Sequence, residues 1–275
     1  MQSKDLSAWL GNSQTFETVI DAEHVQRIAV TLGEPTPNFN DELPFLWHWA
    51  FFEERMPNAS LGRDGHPQVG EFMPPSSNRN RMWAGGRVEF IKPLLVGLNT
   101  ECKVTIINIV EKQGSTGNLL FVTLEHEYSQ AGELAVREER DLVYREPTPP
   151  KIGPGKEPNK AGWSAEVIPS SVLLFRYSAV TFNGHRIHYD HPYATEVEGY
   201  PDLVVHGPLL ATYCLAACAK ANPDKQVKKY SYRGLRPQIL PESFKLQGHL
   251  VDAQNAEVWV VNSSGMVQQG TVEFY

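Results

Sequence analysis

His206-Gly207-Pro208-Leu209-Leu210-Ala211-Thr212-Tyr213-Cys214-Leu215-Ala216-Ala217-Cys218-Ala219-Lys220-Ala221 is the stretch whose reading decides how this chain folds. A Gly-Pro step opens a helix over 208–221 and Asn222-Pro223 closes it. Apolar residues occupy nearly every face of that helix, with small side chains at Ala211, Ala216, Ala217 and Ala219. A helix apolar all round has to be wrapped rather than laid on a surface. The wrapping follows directly downstream. Residues 243–251, 256–262 and 266–274 read as strands, separated by Asp252-Ala253-Gln254-Asn255 and Ser263-Ser264-Gly265. Alternation such as Val258-Trp259-Val260-Val261 between turn clusters is the strand signal.

The same plan occurs earlier in the chain. Arg236-Pro237-Gln238-Ile239-Leu240 has a counterpart in Lys92-Pro93-Leu94-Leu95-Val96. An aromatic, arginine-bearing stretch precedes each, at 83–87 and 230–233. Three strands follow the earlier one, over 101–111, 118–129 and 133–144, split by Gly114-Ser115-Thr116-Gly117 and Ala131-Gly132. Upstream, residues 43–55 carry Trp47, Trp49, Phe51 and Phe52 and predict a second buried helix. Residues 21–32 predict another, with Asp21 as N-cap and Gly33 as its stop. One buried helix inside an antiparallel sheet, twice over, is an α+β double hotdog. Its parts are an N-terminal hotdog over 1–145, a Pro/Gly-rich linker over 146–164 and a C-terminal hotdog over 165–275. Five prolines and two glycines between 146 and 160 mark the linker. Gly85-Gly86 reads as a strand bulge or a tight crossing.

Composition narrows the function classes. An apolar fraction of 41% and a charged fraction of 21% are those of a folded globular protein. A net charge of −7 argues against nucleic acid as a partner, which needs a basic face. Cys102, Cys214 and Cys218 cannot all pair and lack metal-ligand spacing, so buried free thiols are expected. No apolar run reaches membrane-spanning length, and Met-Gln-Ser-Lys-Asp lacks the core of a signal peptide. The expectation is a soluble protein of a reducing compartment, the cytoplasm, with no membrane partner. Phosphate-loop, dinucleotide and nucleophile-elbow motifs are absent, and no cofactor is expected.

The chemistry concentrates in Phe182-Asn183-Gly184-His185-Arg186-Ile187-His188-Tyr189-Asp190 and in the His206-Gly207 step. His188 is an imidazole able to move protons either way, and Asn183 an amide able to hold a water. Gly207 presents a backbone N–H at a helix start, where orphan donors and the helix dipole receive an oxyanion. Together they suit addition of water to an activated double bond. These residues resemble the R-specific enoyl-CoA hydratases and MaoC-like dehydratases, which carry Asp, a variable residue, Asn, Pro, an aliphatic residue and His, then a His-Gly step. Asn183 falls on the Asp, His185 on the Asn, Arg186 on the Pro, Ile187 on the aliphatic residue and His188 on the His. The variant here, with Arg81-Met82-Trp83-Ala84-Gly85-Gly86-Arg87, more closely resembles a two-hotdog subgroup that includes itaconyl-CoA and mesaconyl-CoA hydratases and a mitochondrial hydroxyacyl-thioester dehydratase. The resemblance implies an acyl-CoA substrate and catalysis by His188, Asn183 and Gly207.

Asn183 departs from the family pattern. An amide cannot ionise, so proton work falls to His188, with Asp190 as a candidate helper. Removing that carboxylate also favours a substrate carrying its own, which Arg186 could pair in a bidentate fashion. His185 and His206 complete the expected substrate wall. Arg233 and Arg236, with Lys228 and Lys229, are the candidates for the CoA phosphates. The first half lacks the His-Gly step and is expected to shape the acyl pocket without catalysis. Beside a 3-hydroxyacyl-thioester dehydratase of fatty-acid type, three rival readings stay open. One is a metal cluster of His185, His188, Asp190 and His191. Another is a thioesterase, disfavoured because 207–221 holds no carboxylate, although Glu53 and Glu54 lie at the end of the aromatic segment. The third is a hotdog that binds an acyl chain without reacting. A fused pair could stand alone or form a homodimer.

Overall fold

The computed structural model describes residues 6–76, 79–114, 117–150 and 152–275. Strands β1 (Ser13–Val19), β2 (Asn80–Phe90), β3 (Asn99–Gly114), β4 (Gly117–Gln130) and β5 (Glu133–Arg145) come from the first half. The second half supplies β6 (Trp163–Val167), β7 (Val227–Gly234), β8 (Phe244–Leu250), β9 (Asn255–Asn262) and β10 (Gly265–Phe274). All ten form one antiparallel sheet in the order β1-β3-β4-β5-β2-β7-β10-β9-β8-β6. Read outward from the β2/β7 seam, the two sides are the same: β2-β5-β4-β3-β1 matches β7-β10-β9-β8-β6. This is the double hotdog, and six of the strands coincide with the sequence prediction to within about three residues. Ser115 and Thr116 of the predicted 114–117 turn, and residues 1–5, lie outside the described residues.

The seam explains Gly85. Gly85 pairs with Arg233 and Gly86 with Tyr232, and the β2/β5 register shifts between Trp83 and Gly85. A Cβ on Gly85 would stand 2.3 Å from the Tyr232 carbonyl oxygen. A bulge and a close crossing therefore coincide at one residue.

Helices decide where the core sits. α1 (Ala22–Leu32) starts on Asp21, whose carboxylate accepts the His24 N–H, and stops on left-handed Gly33, as predicted. α3 (Gly207–Ala221) runs against β7–β10, with Leu209, Ala211, Leu215 and Cys218 fully buried. The apolar run ending at Phe182 forms α2 (Ser171–Val180), capped by the Ser170 hydroxyl. The helix predicted over 43–55 is not formed. Only one 3₁₀ turn, Trp47–Ala50, is helical there, and it begins after Leu46 at φ 68. Pro44 and Pro57 bracket the segment, and its aromatic bulk is buried as a cluster: Trp47, Trp49 and Phe51 are all under a tenth exposed. An all-apolar run marks burial, and periodicity cannot then choose the backbone.

The first half instead closes around a buried polar network. Glu138 is wholly buried and accepts Trp49 Nε1–H at 2.9 Å and Arg140 Nε–H at 3.1 Å. Burial raises its carboxyl, but the Arg140 charge and contact with His48 outweigh that and hold it ionised. The linker is docked rather than free: Gly155 N–H donates to the Ser264 carbonyl and Met266 N–H to the Lys156 carbonyl. β6 already starts at Trp163, inside the boundary drawn from composition.

Candidate active site

α2 ends where Thr181 Oγ1–H donates to the Tyr177 carbonyl at 2.6 Å and Phe182 turns to φ 49. Asn183 then reverses the chain, its Oδ1 accepting the His185 N–H at 2.9 Å in an Asx turn. One 3₁₀ turn, Arg186–His188, drives His188 inward to 6% exposure. There His188 Nδ1–H donates to the Val204 carbonyl at 2.7 Å. A carbonyl only accepts, so this bond fixes the tautomer and leaves Nε2 with its lone pair. Burial pulls the His188 pKa down to about 4 and keeps the ring neutral at pH 7.

Val204 is itself held by a bridge to Ile239, and two residues on the chain reaches His206 and Gly207. His206 is fully buried, stacks on His188 at 3.7 Å between ring centroids and shares a 2.8 Å hydrogen bond with Ser178 Oγ. Gly207 opens α3, and among the described residues its N–H has no acceptor. A Cβ placed on it would meet nothing within 4 Å, so open space lies in front of this helix start. His188, His206 and Gly207 are thus brought together as expected.

A cavity of about 750 Å³ lies against this motif. Asn183, Arg186 and Pro208 line it from the second half, and Trp49, Glu53, Glu54, Arg81 and Trp83 from the first. A loop of the first half reaches across to complete it. The Asp64 carbonyl accepts the Arg186 N–H at 2.9 Å, and Gly65 packs so closely that a Cβ would stand 1.9 Å from the Gly184 oxygen. Next to that contact, His66 Nδ1 lies 2.9 Å from Asp64 Oδ2, and the His66 and His185 rings are 4.3 Å apart.

Several assignments made from sequence need correction. Arg186 does line the cavity, but its fork is filled: Nε and Nη2 reach Asp190 at 2.9 and 2.8 Å, and Nη1 donates to the Arg63 carbonyl at 3.0 Å. Its face covers Tyr193. Asp190 is committed to the same pair, which holds its carboxyl below the usual range, so it is no helper of His188. Arg236 donates to the Gly153, Met266 and Gly265 carbonyls and to Asn262, fastening linker to turn. Arg233 lines a separate hollow with Arg87, Lys156 and Gln269. Lys228 pairs with Glu273 at 2.5 Å. None of these three cations reaches the cavity. They follow α3 in sequence, but β7 and the bend after it carry them elsewhere.

His191 Nε2 faces Asp202 at 3.8 Å, so the suggested set of His185, His188, Asp190 and His191 does not assemble. Asp64, His66 and His185 bring donor atoms within 4.8 Å of one another, the one such set among the described residues. Sequence reasoning missed Asp64 and His66. The local signal was Gly62-Arg63-Asp64-Gly65-His66, a carboxylate and an imidazole two apart between glycines, which has meaning only once the loop is seen to cross to the other half.

Comparison with known proteins agrees with this architecture. The profile of the type 2 hydroxyacyl-thioester dehydratases matches residues 46–240. The mesaconyl-C(4)-CoA hydratase of Chloroflexus aurantiacus is 41% identical over 251 residues, covering 90% of this chain and 89% of that protein. A mitochondrial type 2 hydroxyacyl-thioester dehydratase of Schizosaccharomyces pombe is 28% identical over 228 residues, 73% of this chain and 75% of its own. Among solved structures, HtdX of Mycobacterium tuberculosis superposes with a TM-score of 0.70 at 20% identity, over 96% of this chain and all of its own. With the two-half sheet, the stacking of His188 on His206 beside Gly207 and these likenesses in hand, the chain belongs to the type 2 hydroxyacyl-thioester dehydratase family and has the double hotdog fold.

Proposed function

We propose that this chain adds water to, or removes it from, an enoyl-CoA thioester, and that its acyl group is short and carries a carboxylate. The observation that bears most weight is His188, locked as the Nδ1–H tautomer with Nε2 free, beside an unpartnered helix N-terminus at Gly207. In this reading His188 Nε2 and the Asn183 amide hold and orient the water, while the Gly207 N–H receives the thioester oxygen as enolate charge develops. His206 and Ser178 keep the His188 ring in place. The first half carries no such helix start beside a motif histidine, and it lends residues to the pocket wall.

Substrate class follows from charge. Four arginines line the cavity, and three are engaged: Arg186 with Asp190, Arg140 with Glu138, Arg63 with Asn80. Arg81 has no hydrogen-bonded or ion-paired partner among the described residues. Burial raises the Glu53 and Glu54 carboxyls, which lessens competition for it. A carboxylate on the substrate therefore finds Arg81, in place of the Arg186 expected from sequence. The relative named mesaconyl-C(4)-CoA hydratase supports this reading. α3 offers no carboxylate for thioester hydrolysis. We place the reaction in the cytoplasm, in keeping with three buried free thiols, and allow a homodimer.

Turnover over a panel of mesaconyl-C(4)-CoA, itaconyl-CoA, crotonyl-CoA and long neutral enoyl-CoAs tests the reading. Arg81→Gln should raise KM for the carboxylated substrates on the order of tenfold, the size of one charged hydrogen bond, and leave crotonyl-CoA nearly unmoved. Preference of the wild type for long neutral chains would favour the fatty-acid type of dehydratase. CoA release without hydration would favour a thioesterase.

A further inference from the structure

Four imidazoles from both halves stand in a row. Ring centroids are 4.3 Å apart from His66 to His185, 5.2 Å from His185 to His188 and 3.7 Å from His188 to His206. Of these four, His66 is the one that lines the cavity. The motif reading uses His188 and leaves His66 without a purpose.

His66 is held by a carboxylate. Asp64 Oδ2 lies 2.9 Å from His66 Nδ1, and Oδ1 accepts the His66 backbone N–H at 3.1 Å. Burial pushes the Asp64 carboxyl up, but its bonds to His66 outweigh that and keep it ionised. An ionised carboxylate only accepts, so Nδ1 carries the proton and Nε2 is the free nitrogen. The pair is also clamped to the motif: no Cβ fits at Gly65 or Gly184, and Arg186 N–H donates to the Asp64 carbonyl. This is a built geometry, spanning the two halves.

The two candidate bases differ in what stands behind them. A proton arriving at His188 makes an imidazolium facing an uncharged carbonyl, that of Val204. At His66 it makes one facing a carboxylate at hydrogen-bond distance; burial and the Arg81 charge hold this imidazole below its ordinary range, and Asp64 is the group that opposes them. The motif itself supplies no ionisable group at Asn183, and its Asp190 is neutralised by Arg186.

We propose that His66, oriented and charge-compensated by Asp64, is a catalytic acid/base of this site and the imidazole that carries the proton in transit. Asp64 thereby supplies, from the first half, the carboxylate that position 183 lacks. The inference rests on the hydratase reading. In the hydration direction, water bonds through oxygen to the β-carbon as its O–H breaks and the proton passes to His66 Nε2. The π pair moves onto the α-carbon and thioester oxygen, and His66 Nε2–H then protonates the α-carbon. His188 stays neutral and orients the water. The net reaction consumes one water, and the protein returns to its starting state.

The test uses the full chain with crotonyl-CoA and mesaconyl-C(4)-CoA. His66→Gln should lower kcat by roughly 10²–10⁴-fold, the range of a general acid/base, with a small change in KM. Asp64→Asn, which keeps size and one hydrogen bond, should lower kcat and move the acid limb of the kcat–pH profile to lower pH, because the imidazolium loses its counter-charge. Asp64→Glu should restore part of the rate and return the limb toward its wild-type position. A residue that merely packs would not move that limb. Near wild-type kcat in His66→Gln, or an unshifted limb in Asp64→Asn, overturns the proposal while leaving the hydratase reading intact. Activity lost on chelation and restored by Zn²⁺ overturns it in favour of a cation on Asp64, His66 and His185. A wild type that hydrates no enoyl-CoA overturns the reading itself, and this inference with it.

Discussion

The two halves share one path and differ in one short stretch. In the second half Val204 bridges Ile239, Val205 N–H donates to Gln238 and the next residues are His206-Gly207, opening a helix of 15 residues. In the first half Glu42 bridges Leu95, Leu43 N–H donates to Leu94 and the next residues are Pro44-Phe45, leading to one turn of four. Small alanines let a sheet close on a helix in the one. Indole and phenyl rings fill the same kind of space in the other, around the buried Glu138 and Arg140. The chain saved by not continuing the helix runs on through residues 53–67 as cavity wall, carrying Asp64 and His66 across to the motif. What one half gave up as a central helix, the site gained as a pocket and a carboxylate.

The largest expected effect tests whether one half alone uses this motif position. His188→Ala, which removes the imidazole that positions the water, should cut hydration on the order of 10²-fold. Counted from the ends of α1 and α2, the residue matching His188 is Asn40, left-handed at φ 64, and Asn40→Gly should leave turnover within about twofold by the ordinary insensitivity of surface sites. Steady-state kinetics on both variants decides, and a comparable loss in Asn40→Gly would break the asymmetry.

Next comes the packing difference. Glu138→Ala leaves Arg140 buried without a counter-charge and should cost about 3–5 kcal/mol in denaturant unfolding. A cost below about 1 kcal/mol would mean that the aromatic cluster closes the first half without help from the ion pair.

A graded effect follows from pH. Burial lowers the pKa of His188 to about 4 and of His126 to about 3 and depresses His48, His66, His185 and His206. A histidine depressed in the folded state takes up protons in the unfolded chain first. Stability is therefore whole above the ordinary value near 6.5 and falls as pH drops from there toward 4. Thermal unfolding followed from pH 8 to pH 4 should show this decline, and a flat profile over that range contradicts the buried neutral row.

The smallest effect on folding is the sharpest on function. Gly207→Ala places its methyl in open space, so unfolding should shift by no more than about 0.5 kcal/mol, while hydration should fall if that space takes the thioester as we propose. Unchanged turnover would remove the oxyanion role from this helix start.

Much of this protein was legible in the residues themselves. The 208–221 helix, six strands and the caps of α1 could be read because side-chain period and turn chemistry are local properties of the chain. So could the union of His188 with Gly207, which rests on a motif confined to 26 residues of sequence from Asn183 to Pro208. Residues 43–55 could not be read as a broken segment: aromatic residues on every side report burial and say nothing of the backbone that delivers it. Nor could the fates of Arg186, Arg233 and Arg236, since a guanidinium is claimed by whichever carboxylate or carbonyl the fold brings within 3 Å or so. His66 and Arg81 lie more than 100 residues from His188 in the chain, and their meeting at one cavity is a consequence of the β2/β7 seam. Local pattern determined the elements and the motif; long-range packing alone decided which charges face the cavity.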